Sequence, residues 1–280
     1  APEYGPPSTK ADYWIPIRPQ TDAALWLGIT RLMIENTWYD EGFVKTFTDF
    51  PLLVRTDTLT RLRAHEVFPG YTTTLAADGP SMKVQGLTAE QHAKLGDYVV
   101  WDERAKAVRA LTRDDVGARM KAKGIEPALE GTWKVKLVDG NEVEVATLWT
   151  LYRTHLRDYD LDTVAEITHA PKNLIRQLAE DIGAMKPVSI HQGEGINHWF
   201  HATEMNRAAY LPLMLTGNIG KPGAGCHTWA GNYKAALFQG SKETGPGFKG
   251  WVAEDPFQPS LDPAAHGRDV EAHAYTKDEE

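Results

Sequence analysis

A chain of 280 residues, 42% hydrophobic and 24% charged, has the length of one large or two modest domains and the composition of a globular protein, which excludes wholesale disorder. A formal net charge of −8 with no basic stripe argues against a general nucleic-acid binder. The one cysteine, Cys226, excludes a disulfide framework within the chain and an iron–sulfur cluster ligated by this chain alone, and no apolar run approaches a membrane span.

The chain opens Ala1-Pro2-Glu3-Tyr4-Gly5-Pro6-Pro7, with no initiator methionine and no basic leader-like segment, and it closes Lys277-Asp278-Glu279-Glu280. Both ends read as parts of a longer polypeptide. Residues 13–17 form a short apolar run broken by Pro16, the pattern of a strand ending at a loop. Thr21 and Asp22 then predict a helix start. Thr21 is placed to accept from an early backbone N–H, and Leu25, Ile29, Leu32 and Met33 share one face. A second short helix is expected over 40–47, closed by Asp49-Phe50-Pro51.

Residues 55–146 have a different texture. Val99-Val100-Trp101 and Val108-Arg109-Ala110-Leu111 can pair across a charged turn. Trp133, Val135 and Leu137 alternate with lysines, and after Asp139-Gly140-Asn141 the alternation resumes at Val143 and Val145, as in a half-solvated hairpin. This region reads as a partly β insertion.

From 147 onward α/β order returns. Pro171 sits at the first turn of a helix bearing Leu174, Ile175, Leu178 and Ile182, which Gly183 is expected to stop. A buried strand over 188–192 follows, then a helix over 203–215 ending at Gly217, then a stretch from Gly220 to Gly225 too rich in glycine for regular structure. The expected organisation is therefore an α/β segment over 1–54, the insertion over 55–146, a second α/β segment with glycine-rich loops over 147–256, and an irregular tail over 257–280.

The densest chemistry follows the strand at 188–192. Gly193 and Gly195 flank Glu194, and Asn197, His198, Trp199 and His201 come next. Such a turn lets backbone N–H groups approach a bulky anion, and the C-terminal ends of strands are where open α/β sheets bind ligands. The turn is not a dinucleotide fingerprint, because His198 stands where its third glycine would be. As a bare motif, a structural turn is the plainer reading. His191, His198 and His201 invite a zinc site with Glu194 or Glu204, but a histidine bonded to backbone or phosphate is the plainer alternative. Cys226-His227 lacks the strand–turn–helix elbow of a nucleophile, which favours a ligand-lining or buried thiol. Thr21-Asp22 is explained as a cap, although a carboxylate there can also accept from two guanine N–H donors.

Three segments together resemble the catalytic subunit of molybdopterin oxidoreductases of the dimethyl-sulfoxide-reductase family. Tyr13-Trp14-Ile15-Pro16-Ile17-Arg18-Pro19-Gln20-Thr21-Asp22-Ala23-Ala24 is similar to the family's strand followed by Gly-Thr-Asp-x-Ala, with Gln20 replacing the glycine. Gly193-Glu194-Gly195-Ile196-Asn197-His198-Trp199-Phe200-His201 is similar to the Gly-x-Gly-h-Asn-His-Trp run of the nitrate reductase branch. Thr216-Gly217-Asn218-Ile219-Gly220-Lys221-Pro222-Gly223-Ala224-Gly225, continuing to Ala230-Gly231-Asn232-Tyr233, resembles the Gly-x-x-Gly-x-Pro-Gly-x-Gly loop and the step after it. Within the branch the wording is most similar to nitrite oxidoreductase alpha subunits, with perchlorate reductase as the rival.

The resemblance implies an α/β fold with a parallel-sheet cofactor-binding core and a partly β insertion. It implies molybdenum held by two molybdopterin guanine dinucleotides, and transfer of an oxygen atom to or from an oxyanion, nitrite/nitrate ahead of chlorate, perchlorate or nitrate reduction. By motif position, Thr21 and Asp22 contact a guanosine. Gly193, Gly195, Asn197, His198 and Trp199 line the cofactor, with Asn197 and His198 catalytic. Gly231 and Asn232 lie against pterin or pyrophosphate. The family's iron–sulfur cysteines and molybdenum ligand are not in this chain, so no metal ligand is assigned. Implied partners are an iron–sulfur electron-transfer subunit and a membrane or haem subunit, in a membrane-associated complex. Readings of another class are a zinc hydrolase and a non-catalytic guanine-nucleotide-binding module.

Overall fold

The structure, a computed structural model, describes residues 2–75 and 97–228. Two compact units divide the chain: residues 1–190 with 195–226, and residues 191–194 with the segment from 227 onward.

In the first unit, residues 13–18 form no strand. Pro16 removes a ladder donor from this run, and the Arg18 N–H is spent on the Thr168 carbonyl (2.8 Å), a helix end rather than a strand. The expected strand is corrected accordingly. Gln20 turns the chain with φ +72°, and α1 (Asp22–Glu35) begins. The Thr21 hydroxyl does not cap it; it donates backward to the Arg18 carbonyl at 2.6 Å. Leu25, Ile29, Leu32 and Met33 are all buried, as their spacing predicts. The expected short helix forms as α2 (Glu41–Phe47), capped by Asp40, which accepts from the Phe43 N–H at 2.9 Å.

The β-rich part contains β1 (Leu53–Arg55), a single helical turn α3 (Ala64–Val67), β2 (Tyr98–Asp102), β3 (Ala107–Leu111), the short α4 (Ala118–Ala122), β4 (Thr132–Lys136) and β5 (Glu142–Thr147). Both expected hairpins form. β2 pairs antiparallel with β3, Val100 opposite Arg109. β4 pairs antiparallel with β5, Trp133 opposite Val145 and Val135 opposite Val143. β1 adds to the other edge of β5, giving the order β1-β5-β4. Leu53, Leu62, Val99, Val135 and Val145 make one apolar cluster beneath these strands, and Trp101 stacks on Trp133 at 4.9 Å and 13°.

After β5 come α5 (Leu148–His155), α6 (Leu161–Thr168) and α7 (Lys172–Ala184), then β6 (Ser189–Gln192), a 3₁₀ turn (Glu194–Ile196), α8 (Ala202–Leu215) and β7 (Gly225–Thr228). The helical core is centred on α1, which packs against α6, α7 and α8. Trp149, Leu156, Ile175, Leu213 and Leu215 are fully buried around it. A Cβ on Gly28 would lie 2.6 Å from Val164 Cγ2, so glycine lets α1 and α6 approach closely. Gly183 does not stop α7, which continues to Ala184. Its missing Cβ makes room for Trp38, whose own Cβ would be 2.8 Å away.

Helices and several small sheets thus give the expected mixed α/β character. The registered strand pairings among the described residues are all antiparallel. β6 and β7 form a further two-stranded pair, with Gly225 beside Val188 and His227 beside His191.

Candidate functional site

Two devices hold the base of β6. The Val188 N–H donates to Asn218 Oδ1 (3.1 Å), and Asn218, itself buried, donates from Nδ2 to Thr216 Oγ1 at 2.7 Å. The Gly225 N–H donates to the Val188 carbonyl at 3.1 Å. The glycine-rich run over 216–225 is therefore fastened to the strand through a buried amide, and at Gly225 it becomes β7, which pairs with β6. The expectation of no regular structure holds only as far as Ala224.

Beyond the strand the backbone makes the single 3₁₀ turn, with Ile196 buried beneath it. Neither Gly193 nor Gly195 has positive φ, and an added Cβ on either would meet no atom within 4 Å. Local conformation and packing both leave these positions open to larger residues. Asn197 is exposed, and its Oδ1 accepts from Asn206 Nδ2 at 2.6 Å, while Asn206 also donates to the Ala202 carbonyl (2.7 Å). The oxygen of Asn197 is thus engaged on α8. His198 is exposed, Trp199 is 39% exposed and Phe200 86%. His201 enters α8 at φ +62°, its Nδ1 3.7 Å from Glu204.

Thr21 and Asp22 lie half-buried at the start of α1, whose length packs along α8. Burial pushes the Asp22 carboxyl above the usual aspartate range, against the lowering influence of its own backbone N–H. Gly231 and Asn232 lie outside the described residues. In the second unit, His191 stacks on His227 at 4.9 Å and 24°. Among the described residues no group of three or more histidine, cysteine or carboxylate side chains could hold a metal, which leaves the zinc reading without a ligand set there. Burial raises the Cys226 thiol, and the Tyr210 hydroxyl hydrogen-bonds its sulfur. A thiol kept protonated is no nucleophile, in line with the plainer reading.

Two residues went unnoticed by sequence reasoning. Asn206 orients Asn197. Gln192 ends β6 with both amide atoms, Oε1 and Nε2, buried and without a partner. Only the last carried a signal, a polar residue closing a strand that otherwise reads as buried.

The molybdopterin oxidoreductase family model matches residues 2–262. The chain is 30% identical over 247 residues to the perchlorate reductase subunit alpha of Dechloromonas aromatica, covering 86% of this chain and 26% of that protein. It is 31% identical over 245 residues to the respiratory nitrate reductase subunit alpha of Haloferax mediterranei, covering 86% and 23%. With the dimethylsulfide dehydrogenase subunit alpha of Rhodovulum sulfidophilum it shares 27% over 242 residues, covering 85% and 24%. The chain spans about a quarter of the length of these curated relatives.

Proposed function

The chain belongs to the molybdopterin oxidoreductase family, and on that premise we propose that it is a cofactor-holding segment of a catalytic subunit that transfers an oxygen atom to or from an oxyanion. The observation that carries this reading is the pair Gly193 and Gly195. Glycine there is demanded by neither φ nor neighbours, so the missing Cβ atoms serve the approach of something outside the chain. A bulky anionic dinucleotide fits that demand, since its pyrophosphate is held best by backbone N–H groups with no side chain in the way.

We infer that the group is molybdenum bound by molybdopterin guanine dinucleotide. When bound, it supplies the two-electron redox chemistry and the oxygen-atom exchange. The chain's own residues bind and orient. Asp22, already desolvated, gains most from two guanine N–H donors, and Thr21 lies beside it at the α1 start. Gly193, Gly195 and Trp199 line the cofactor, with Gly231 and Asn232 against its pterin or pyrophosphate. Asn197, its oxygen fixed by Asn206, offers N–H donors to a cofactor oxygen or to the oxyanion, and His198 serves the same end. Residues 1–54 and 147–256 are the cofactor-binding segments, 55–146 the insertion and 257–280 the tail.

Nitrite and nitrate are the favoured substrate pair. Support comes from the Asn197-His198-Trp199 wording and from oxyanion reductases among the relatives. Perchlorate, chlorate or nitrate reduction is the alternative. Electrons would leave or enter through iron–sulfur centres elsewhere in the full subunit and in a partner electron-transfer subunit, within a membrane-associated complex. No helix of the described residues is long and apolar enough to cross a membrane, so any membrane attachment would come from elsewhere.

The test is molybdenum, iron and pterin content of the full-length protein and of its Gly195→Val variant. Molybdenum with pterin in the parent, and an unchanged melting temperature with sharply reduced molybdenum in the variant, is the expected result. Zinc alone or no metal in the parent would sink the reading and bring forward the hydrolase or nucleotide-binding module.

A further inference from the structure

Gln192 is the last residue of β6, directly before Gly193. Its amide oxygen and nitrogen are both buried and neither has a hydrogen-bond partner. Buried polar groups are almost always paired, and leaving both ends of a carboxamide unpaired costs folding free energy with no return inside the chain. The chemistry of that carboxamide restricts what can pair with it. It offers N–H donors on one side and a carbonyl acceptor on the other. A phosphate or an oxyanion only accepts, and would satisfy the nitrogen while leaving the oxygen bare. An ammonium or guanidinium only donates, and would do the reverse. A lactam edge, with ring N–H and C=O side by side, satisfies both atoms at once in a two-point contact.

We propose that Gln192 recognises the lactam edge of a heterocycle, the shared feature of a pterin and a guanine ring, and so selects the cofactor by its ring rather than by its phosphates. The inference rests on the cofactor reading above. It extends that reading to a residue outside the resemblance motifs, and it gives the buried amide at the end of β6 a recognition role.

The experiment uses the full-length protein with Gln192→Leu, which removes both polar atoms at similar volume, and Gln192→Glu, which keeps the shape and replaces the donor by a second acceptor. Three quantities are read: molybdenum and pterin per polypeptide, the melting temperature of the cofactor-free form, and binding of GDP to that form by titration calorimetry. The expected result is about a tenfold loss of cofactor in Gln192→Leu, as for loss of a two-point contact, with a cofactor-free melting temperature equal to or above the parent's. Gln192→Glu should lose more cofactor than any fall in its cofactor-free melting temperature accounts for, since a carboxylate buried there without a partner itself costs stability, and it decides the matter if the leucine variant fails to fold. GDP affinity lost along with cofactor assigns the contact to guanine; GDP behaviour equal to the parent's assigns it to the pterin. Full cofactor content in both variants overturns the proposal, as does cofactor loss that only tracks a lowered cofactor-free melting temperature. A parent protein without molybdenum or pterin would instead strike the cofactor reading itself.

Discussion

At Gln20 the backbone sits at φ +72°, the left-handed region that glycine enters freely and a side chain with Cβ does not. The residue occupies the place where the family pattern has glycine, and the turn has kept glycine's geometry at a cost in strain. Gln20→Gly is therefore expected to stabilise the protein by about 1 kcal/mol, a gain trimmed by the greater freedom of glycine in the unfolded chain. Thermal or denaturant unfolding checks it, and a loss of stability would show that the Gln20 side chain makes a compensating contact. Gly193 and Gly195 are the converse case. Neither backbone conformation nor neighbouring atoms require glycine there, and under the proposed function the open space serves a ligand.

Among the elements, the helix starts show how one residue type can serve two ends. Asp40 and Asp160 both cap by accepting from a backbone N–H three residues on, Phe43 at 2.9 Å and Thr163 at 2.8 Å. Asp160 also accepts from the Thr163 hydroxyl at 3.0 Å. The Thr163 backbone N–H, then its hydroxyl, hold the Asp160 carboxyl below the usual aspartate range. A carboxyl lowered on folding stabilises above its unfolded pKa, and that support is lost as pH falls through the lowered folded value. The gap in melting temperature between the parent and Asp160→Ala should therefore be widest near neutrality and close in strong acid. A gap independent of pH would mean that the carboxylate charge has no part in the cap. Asp22 has the opposite sign. Its carboxyl is raised by burial, so in the ligand-free protein its contribution is lost as pH rises through the raised value, a deficit that donors from a guanine would relieve.

Taken as a whole molecule, the described residues hold a helical core around α1 and a β-rich part built on two hairpins and an added edge strand. Among them no group of three or more histidine, cysteine or carboxylate side chains could hold a metal, and the chain spans about a quarter of the length of its curated relatives. The full-length protein is expected to oxidise nitrite to nitrate with an artificial electron acceptor, taking the added oxygen from water and releasing two electrons and two protons. Nitrate isotope composition in labelled water measures this. Reduction of perchlorate or chlorate by the protein with no nitrite oxidation would transfer it to the alternative substrate class.

Much of this was fixed locally and could be read from residue order. The period of Leu25, Ile29, Leu32 and Met33 dictated α1, and alternation around Trp133 and Val145 dictated the hairpin register. Asp40 dictated where α2 starts, because a cap bonds three residues away. The three motif segments likewise marked the family from order alone. What needed the tertiary structure were properties set by residues far apart in sequence. Gly183 yields to Trp38, Gly28 to Val164, and Asn218 reaches back thirty positions to pin Val188. The openness around Gly193 and Gly195 and the unpaired burial of Gln192 belong to the same kind. Periodicity and capping act over one or two turns of chain, whereas burial and free space are sums over neighbours that only the folded packing brings together.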